Sequence, residues 1–311
     1  MHDSVVRSTI VVAPEQPDMV AVPAGVTTMG SDVFYPEERP RRSVEVGAFR
    51  IDRRPVTNDQ FAKFVDDTGW VTVAERPLDP ADYPGADPGL LHPGGVVFQA
   101  PPGPVPLDDP GRWWAYVPGA SWRSPQGPGS DLAGKGDHPV VQIGFEDAAA
   151  YAEWRGARLP TEAEWERAAW GGLVDAEYSW GAEPYPDGRQ MANTWQGRFP
   201  WEDLATDGWA GTSPVGSYPP NGYGLFDMAG NVWEWTTDWW SEDHAAVVPC
   251  CGGAAERASA APGERYGRKV IKGGSHLCAP SYCHRFRPAA RQPEAVDTST
   301  SHLGFRCVSD S

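Results

Sequence analysis

The chain reads NGYGLFDMAGNVWEW from Asn221 to Trp235, a run in which three glycines alternate with four aromatic side chains. The whole chain has the same character, since 35 glycines, 32 prolines and 15 tryptophans occur among its 311 residues. So many tryptophans must be buried somewhere, which argues against disorder. We therefore expect a compact fold with well under half of its residues in regular elements.

The same stretch places acid and amide side chains close together. Asp227, Gly230, Asn231, Val232 and Glu234 lie within a span of eight positions. Carboxylate, amide and backbone carbonyl oxygens are the ligands that Ca²⁺ prefers. Asn and Asp beside Gly are also ordinary turn formers, so a calcium site and a simple turn are both open interpretations.

A second cluster of this kind lies upstream. It combines Asn193 and Thr194 with Asp207 and Trp209, which flank a glycine-containing loop. The two interpretations are again a calcium site and turn chemistry, because neither cluster has the spacing of an EF-hand loop.

The charge balance limits the possible partners. Forty-two acidic against 26 basic residues give a net charge of −16, which excludes nucleic-acid binding through phosphate contacts and disfavours anionic membranes. The longest apolar run near the N-terminus, residues 9–13, is far shorter than the roughly 20 residues of a membrane span. Without a signal-peptide pattern, we expect a cytoplasmic protein with reduced cysteines.

Local patterns predict a flexible leader over residues 1–18 and a single domain over 19–311. Residues 44–51 alternate as a strand does, and residues 77–137 and 242–266 are expected to be irregular. Three helices are predicted from capping boxes, apolar spacing and glycine stops. They are a helix capped by Thr57 and Gln60 that ends at Gly69, a helix from Glu146 to Arg155, and a helix that starts at Thr161 with Glu164.

The segment from Gly273 to Arg287 contains two cysteines, Cys278 and Cys283, five positions apart. Such cysteines can meet in one pocket across a turn. Two thiolates suit Cu(I) or a redox pair, whereas tetrahedral zinc would need two further ligands. Two ordinary buried thiols remain the plain alternative at this spacing.

Several stretches of the chain, in order, resemble the sulfatase-modifying-factor family. The resemblance covers residues 19–309. It is most specific in the cysteine segment, which is similar to the active-site segment of the formylglycine-generating members of the family. The matching stretches are Pro55–Phe61, His138–Val141, Arg158–Glu166, Asn193–Gly197, Asn221–Trp235, Ser275–Arg291 and Gly304–Cys307.

This resemblance implies an α+β fold with little regular secondary structure, related to the C-type lectin-like module. It also implies an aerobic oxidase that converts the cysteine of a C-x-P-x-R segment in an unfolded sulfatase to Cα-formylglycine, with O₂ and a thiol reductant. Cys278 and Cys283 would hold Cu(I), Ser275 would lie beside the reacting atoms, and Trp233 would wall the pocket.

The resemblance assigns further residues to the substrate and to calcium. Tyr282, Arg291 and His302 would contact the peptide, and Asp79 aligns loosely with an acidic residue that pairs with the substrate arginine. Both oxygen-rich clusters carry over as structural calcium sites: Asn193, Thr194, Asp207 and Trp209 for one, Asp227, Gly230, Asn231, Val232 and Glu234 for the other.

Other members of the same fold provide the competing hypotheses. A non-catalytic peptide-binding member is disfavoured by the presence of both cysteines. An iron-dependent sulfoxide synthase is disfavoured because no H-x-x-x-H-x-E motif occurs in the chain. We further expect a monomer, with Cys307 a free core thiol and the adjacent Cys250 and Cys251 without an assigned role.

Overall fold

The computed structural model describes residues 18–82, 85, 87, 91–245 and 253–310. The predicted leader therefore lies outside the described residues except for Asp18, which forms an ion pair with Arg53. Cys250 and Cys251 also lie outside them. Within these ranges, no helix is both long and apolar enough to span a membrane.

The fold is a mixture of short strands and four helices with long irregular connections. The helices among the described residues are α1 (Asn58–Thr68), α2 (Phe145–Trp154), α3 (Glu162–Trp170) and α4 (Gly253–Ser259). The strands are β1 (Met19–Val22), β2 (Gly25–Met29), β3 (Arg42–Val46), β4 (Phe49–Asp52), β5 (Gly94–Phe98), β6 (Trp114–Pro118), β7 (Gly197–Arg198), β8 (Glu202–Asp203), β9 (Trp233–Trp239), β10 (Arg268–Lys272), β11 (Arg291–Ala295), β12 (Leu303–Gly304) and β13 (Val308–Asp310).

The capping signals predicted the three long helices correctly. In α1, the Thr57 side chain accepts the Gln60 N–H and the Gln60 side chain accepts the Thr57 N–H. Gly69 ends this helix with a φ of 69°, a left-handed conformation that favours glycine. The Thr161–Glu164 box starts α3 in the same way.

Three local expectations were wrong. The single strand over 44–51 is two strands, because the chain leaves β3 after Val46 and β4 pairs with β1 instead of β2. The irregular region 77–137 contains the antiparallel hairpin β5–β6, and region 242–266 contains α4. The two strands of this hairpin have five residues each and pair with each other along their length. The regular structure of this region therefore comes from the pairing partner and not from the local pattern.

A four-stranded sheet of order β11-β10-β9-β12 forms the centre of the molecule. Strand β9 is the end of the aromatic stretch quoted above, and β10 leads directly into the cysteine segment. Trp233, Trp235 and Ile271 from this sheet pack in one core cluster with Cys278 and Leu303. The sheet therefore fixes where the cysteine segment starts.

A buried ion pair connects this sheet to the rest of the chain. The Glu234 carboxylate on β9 accepts two hydrogen bonds from Arg306, both 2.7 Å long, and one of 2.7 Å from Trp165 Nε1 on α3. Neither Glu234 nor Arg306 is exposed to solvent. A bidentate pair of this kind holds its partners in one geometry.

We expect Glu234→Gln to destabilise the fold by about 3–5 kcal/mol, because it leaves the Arg306 guanidinium buried without its counter-charge. Urea unfolding followed by tryptophan fluorescence measures the effect. Glu202→Gln, which removes one carboxylate of an exposed ion pair with Arg198, is the matched control and should leave the unfolding midpoint unchanged. Equal stability of parent and Glu234→Gln would contradict the assigned role of the pair.

Candidate active site

The backbone after β10 turns sharply and brings the two cysteines together. Gly274 has a φ of 71° and lies so close to the returning chain that a Cβ there would be 2.9 Å from the Arg285 carbonyl oxygen. The Cys278 N–H donates to the Ser275 carbonyl at 2.9 Å, and the Cys283 N–H donates to the Ala279 carbonyl at 2.7 Å. These turns place the two Sγ atoms 3.2 Å apart without a disulfide bond.

The two thiols have different electrostatic surroundings. Burial raises the pKa of Cys278 well above its usual value. The hydrogen bond from Cys278 and the nearby Arg285 guanidinium lower the pKa of Cys283 to about 7 despite burial. Near neutral pH, Cys278 therefore keeps its proton while Cys283 is divided between thiol and thiolate, an arrangement that suits a metal ligand or a nucleophile.

Ser275 contacts Cys278, and Trp233 belongs to the same core cluster as Cys278, while their roles in the reaction stay predictions. The Ser275 N–H points to the Cys278 sulfur at 3.4 Å, and the Ser275 hydroxyl accepts the Leu277 N–H at 3.2 Å. Trp233 is 2% exposed and belongs to the same core cluster as Cys278. Both Ser275 and Trp233 are themselves buried.

Tyr282 is half-buried in an aromatic cluster beside the pair. Its ring stacks on Phe199 with centroids 4.6 Å apart and meets the Trp113 ring edge-on at 5.5 Å. Leu277 and Trp195 complete this cluster. The cluster is an apolar wall next to Cys283, and it is the part of the site that a peptide side chain could contact.

Two imidazoles lie near the cysteine segment, His302 buried and His276 partly exposed. His302 packs 4.7 Å from the Trp114 ring, and burial lowers its pKa to about 3. His276 donates from Nδ1 to the Asn231 carbonyl at 2.9 Å, and burial lowers its pKa to about 4. Both rings are neutral at pH 7. His276 has no predicted role from the sequence, because it belongs to no motif of known spacing.

Two residues predicted to bind substrate lie in other surroundings. Arg291 is 3% exposed, forms a bidentate pair with Glu162 and donates to the Ser241 carbonyl at 2.8 Å. Its contacts give it a structural role and do not support the predicted contact with substrate. Asp79 is exposed and accepts the Ala81 N–H at 2.9 Å, so its pairing with a substrate arginine stays a prediction.

The two predicted calcium clusters are neighbours in space. The Asn231 N–H donates to the Asn193 carbonyl at 2.8 Å, and a Cβ on Gly230 would lie 2.2 Å from that same oxygen. Thr194 is buried beside them, and the next residue, Trp195, donates its N–H to the Cys278 carbonyl at 3.0 Å. These loops therefore support the cysteine segment directly.

The carboxylates of the clusters already have hydrogen-bond partners. Asp207 accepts from the Tyr218 hydroxyl and, at 3.0 Å, from the Trp209 N–H. Asp227 accepts the Gly216 N–H at 2.7 Å, and burial raises its pKa to about 6. No group of three or more His, Cys, Asp or Glu side chains is arranged for a metal within the described ranges, so bound calcium would depend on Asn and backbone oxygens.

A cavity of about 750 Å³ adjoins the cysteine segment. Phe98, Trp195, His276 and Leu277 contribute to its lining. As far as the described residues go, neither cysteine lines it. The cavity therefore borders the site but does not contain the two sulfurs.

The chain matches the family model described as "Sulfatase-modifying factor enzyme 1-like domain" over residues 7–311. The chain belongs to the sulfatase-modifying-factor family. It is 55% identical over 296 residues to the formylglycine-generating enzyme of Mycobacterium tuberculosis, covering 94% of this chain and 98% of that relative.

A second family member and a solved structure agree with this assignment. The formylglycine-generating enzyme of Thermomonospora curvata is 48% identical over 298 residues, or 94% of this chain and 93% of that protein. The structure of PvdO from Pseudomonas aeruginosa matches with a TM-score of 0.61, 27% identity and 95% coverage of both chains. The predicted family and the predicted α+β fold with little regular structure are confirmed, and the relation to the C-type lectin-like module stays a prediction.

In this family member, one segment that matters for the site was missed from the sequence. Glu37 accepts from the Arg285 guanidinium at 2.5 Å, and Glu38 forms a bidentate pair with Arg287. The Tyr35 hydroxyl accepts the His284 N–H at 2.9 Å. We call residues 34–38 the clamp. Almost 250 positions separate it from the cysteine segment, so no local pattern could have revealed it.

We expect Cys283 to react with iodoacetamide faster than Cys278 at pH 7, because Cys283 is partly exposed and carries the thiolate. Its rate should fall about tenfold per pH unit below pH 7, as the thiolate takes up a proton. Short reagent pulses followed by peptide mass spectrometry measure the rates. Cys307, which is buried with a raised pKa, is the unreactive control, and faster labelling of Cys278 would contradict the assigned charge distribution.

Proposed function

We propose that this chain converts the cysteine of a C-x-P-x-R segment in an unfolded sulfatase to Cα-formylglycine and so activates the sulfatase. The observation that best supports this proposal is the pair of reduced thiols, whose Sγ atoms lie 3.2 Å apart near a buried serine and a buried tryptophan. Kinship with formylglycine-generating enzymes supports the same reaction. We further propose that the protein acts in the cytoplasm as a monomer.

The reaction that we propose balances with oxygen as the oxidant and a thiol as the reductant. The substrate –CH₂SH group, O₂, two electrons and two protons give –CHO, H₂S and H₂O. Two molecules of a thiol reductant supply the electrons and protons when they form one disulfide. The C–S bond and one Cβ–H bond of the substrate are broken, and a C=O bond forms.

The chemistry of the cysteine pair fits Cu(I). Two soft sulfur ligands within reach of one ion favour this metal over harder cations. Bound Cu(I) would supply a place at which the substrate thiolate and O₂ meet. The chain itself would provide the Cys283 thiolate as one ligand. Cys278 would become the second ligand when it releases its proton, and the turn at Ser275 would hold both sulfurs in place.

Surrounding residues would prepare the substrate. Trp233 and the core behind it exclude water from the sulfurs, and the Tyr282–Phe199–Trp113 cluster offers an apolar surface for residues next to the reacting cysteine. His302, neutral at pH 7, can exchange hydrogen bonds with the peptide without adding a charge. Asp79 would pair with the substrate arginine through its exposed carboxylate.

We also propose two structural calcium ions in the loops beside the site. The buried Asp227 carboxylate, with its raised pKa, fits a position that gains from a cation. Asp227 belongs to the second of the two calcium sites. There the ion would also use oxygens of Gly230, Asn231 and Val232 and would share the Glu234 carboxylate with Arg306. The first would use Asn193, Thr194, Asp207 and Trp209. Such ions would connect loops that have little regular hydrogen bonding of their own.

The two cysteines provide the test of the copper proposal. Cys278→Ser and Cys283→Ser each replace a soft thiolate by a mostly protonated hydroxyl, so Cu(I) affinity should fall at least a hundredfold and turnover should disappear. Competition against a chromogenic Cu(I) chelator measures affinity. Mass spectrometry of a C-x-P-x-R peptide, incubated with protein, copper, reductant and air, identifies the aldehyde product.

Cys307→Ser is the matched control. It should keep one copper per chain, although an unpaired hydroxyl in the core costs about 1–3 kcal/mol of stability. If Cys278→Ser binds copper as tightly as the parent, the proposed metal site is wrong. If the parent protein forms no aldehyde but still binds the peptide, the non-catalytic hypothesis replaces the enzyme.

Calcium should stabilise the folded state. At a calcium concentration a hundred times Kd, binding to the native state alone adds about 2.7 kcal/mol, which corresponds to a rise in Tm of roughly 5 °C. Chelation should reverse this shift, and Asp207→Asn should reduce it. Thermal melts with and without chelator measure the effect.

Asp67→Asn, at an exposed position on α1, is the calcium control. Its melting temperature should respond to chelation as the parent's does. Glu234 variants are unsuitable here, because they break the buried pair with Arg306 in any case. An unchanged melting curve after exhaustive chelation would remove calcium from the proposal.

A further inference from the structure

Arg285 brings a positive charge to the cysteine pair. The Cys283 sulfur interacts with both the side chain and the backbone N–H of Arg285, and the Arg285 charge acts on Cys278 as well. The guanidinium lies 3.8 Å from the centre of the Tyr35 ring and donates to Glu37 at 2.5 Å. The clamp therefore fixes the position of this cation, which follows Cys283 by two positions in the chain.

The cysteine pair needs such a charge when it holds a monovalent ion. Two thiolates and one Cu(I) have a net charge of −1, and a third thiolate from the substrate makes it −2. Cys278 is buried and Cys283 is only partly exposed to solvent. A negative charge removed from water is costly unless a cation or hydrogen-bond donors compensate it.

The neighbouring arginines of the segment are less available for this task. Arg287 and Arg291 form bidentate buried pairs with Glu38 and Glu162. Arg285 has one contact with Glu37, whose side chain is 21% exposed and so is partly screened by solvent. Its Nε is buried and has no hydrogen-bond partner among the described residues.

We propose that the Arg285 guanidinium, oriented by Tyr35 and Glu37, compensates the negative charge of the metal-loaded cysteine pair and of the substrate thiolate that joins it. This inference rests on the copper site of the proposed function. In this proposal the charge of Arg285 acts on the two cysteines. It does not act by holding the backbone of the segment in place. The charge of Glu37 opposes that task, although Glu37 helps to orient Arg285.

The ion pair can be broken from either side, and this separates charge from structure. Arg285→Gln removes the positive charge and should weaken Cu(I) binding at least tenfold. Glu37→Gln breaks the same contact but leaves the positive charge, so Cu(I) binding should stay at the parental level or become tighter. Arg285→Lys keeps the charge but loses the planar group that stacks on Tyr35, so it should bind Cu(I) more tightly than Arg285→Gln does.

The measurement is Cu(I) competition against a chromogenic chelator at fixed pH and ionic strength, on full-length protein whose folding is checked by circular dichroism. The double variant Arg285→Gln/Glu37→Gln removes both charges, so it leaves no unpaired carboxylate and should still bind Cu(I) more weakly than the parent. Arg198→Gln removes a positive charge from an exposed pair and should bind as the parent does.

The outcomes distinguish this inference from the function that it extends. Equal weakening by Arg285→Gln and Glu37→Gln would show a structural role and overturn the inference. Parental Cu(I) affinity in Arg285→Gln would overturn it too, while the copper site itself would stand. If the parent protein binds no Cu(I), the proposed copper site and this inference both fail.

Discussion

Buried pairs between arginine and a carboxylate hold this molecule together across long distances in the chain. Asp52 with Arg155, Glu38 with Arg287, Glu162 with Arg291 and Glu234 with Arg306 each form two parallel hydrogen bonds in the interior. The partners lie between 72 and 249 positions apart. Removing such charges from water is costly, so these pairs do more to select one arrangement of the loops than to add net stability.

The need for this interaction follows from the shortage of regular structure. Strands of two to seven residues satisfy few backbone groups per element, and long loops cannot determine their own positions. A planar guanidinium fixes both the distance and the orientation of its carboxylate. Two of the four pairs involve Arg287 and Arg291, so they fix the chain directly after the turn that carries Cys278 and Cys283.

The same arrangement sets the electrostatics of the site. Because Arg287 and Arg291 are neutralised by buried partners, Arg285 is the guanidinium of this segment that acts on the two thiols. Burial keeps Cys278 protonated, and Arg285 favours the Cys283 thiolate. Binding of a soft ion to both sulfurs at neutral pH therefore releases the Cys278 proton and any proton still bound to Cys283. The aromatic wall of Tyr282, Phe199 and Trp113 adds a surface without charge next to these groups.

The sequence by itself determined the elements and motifs that depend on neighbours a few positions apart. The capping boxes at Thr57 and Thr161, the left-handed stop at Gly69, the meeting of Cys278 and Cys283 across a turn, and the family motifs around Asn221–Trp235 are all of this kind. Each results from contacts within about one helical turn or one tight loop, so the local residue pattern contains the information.

Only the tertiary structure decided which distant groups meet. The hairpin β5–β6, the division of residues 44–51 between two sheets, the contact of the clamp with Arg285 and Arg287, and the burial of Arg291 against Glu162 depend on partners far along the chain. The sequence contains many acids and many arginines, and any of them can form a pair. Which pairs form is decided by burial and packing of the whole chain, because a charge is stable in the interior only beside the partner that the fold brings to it.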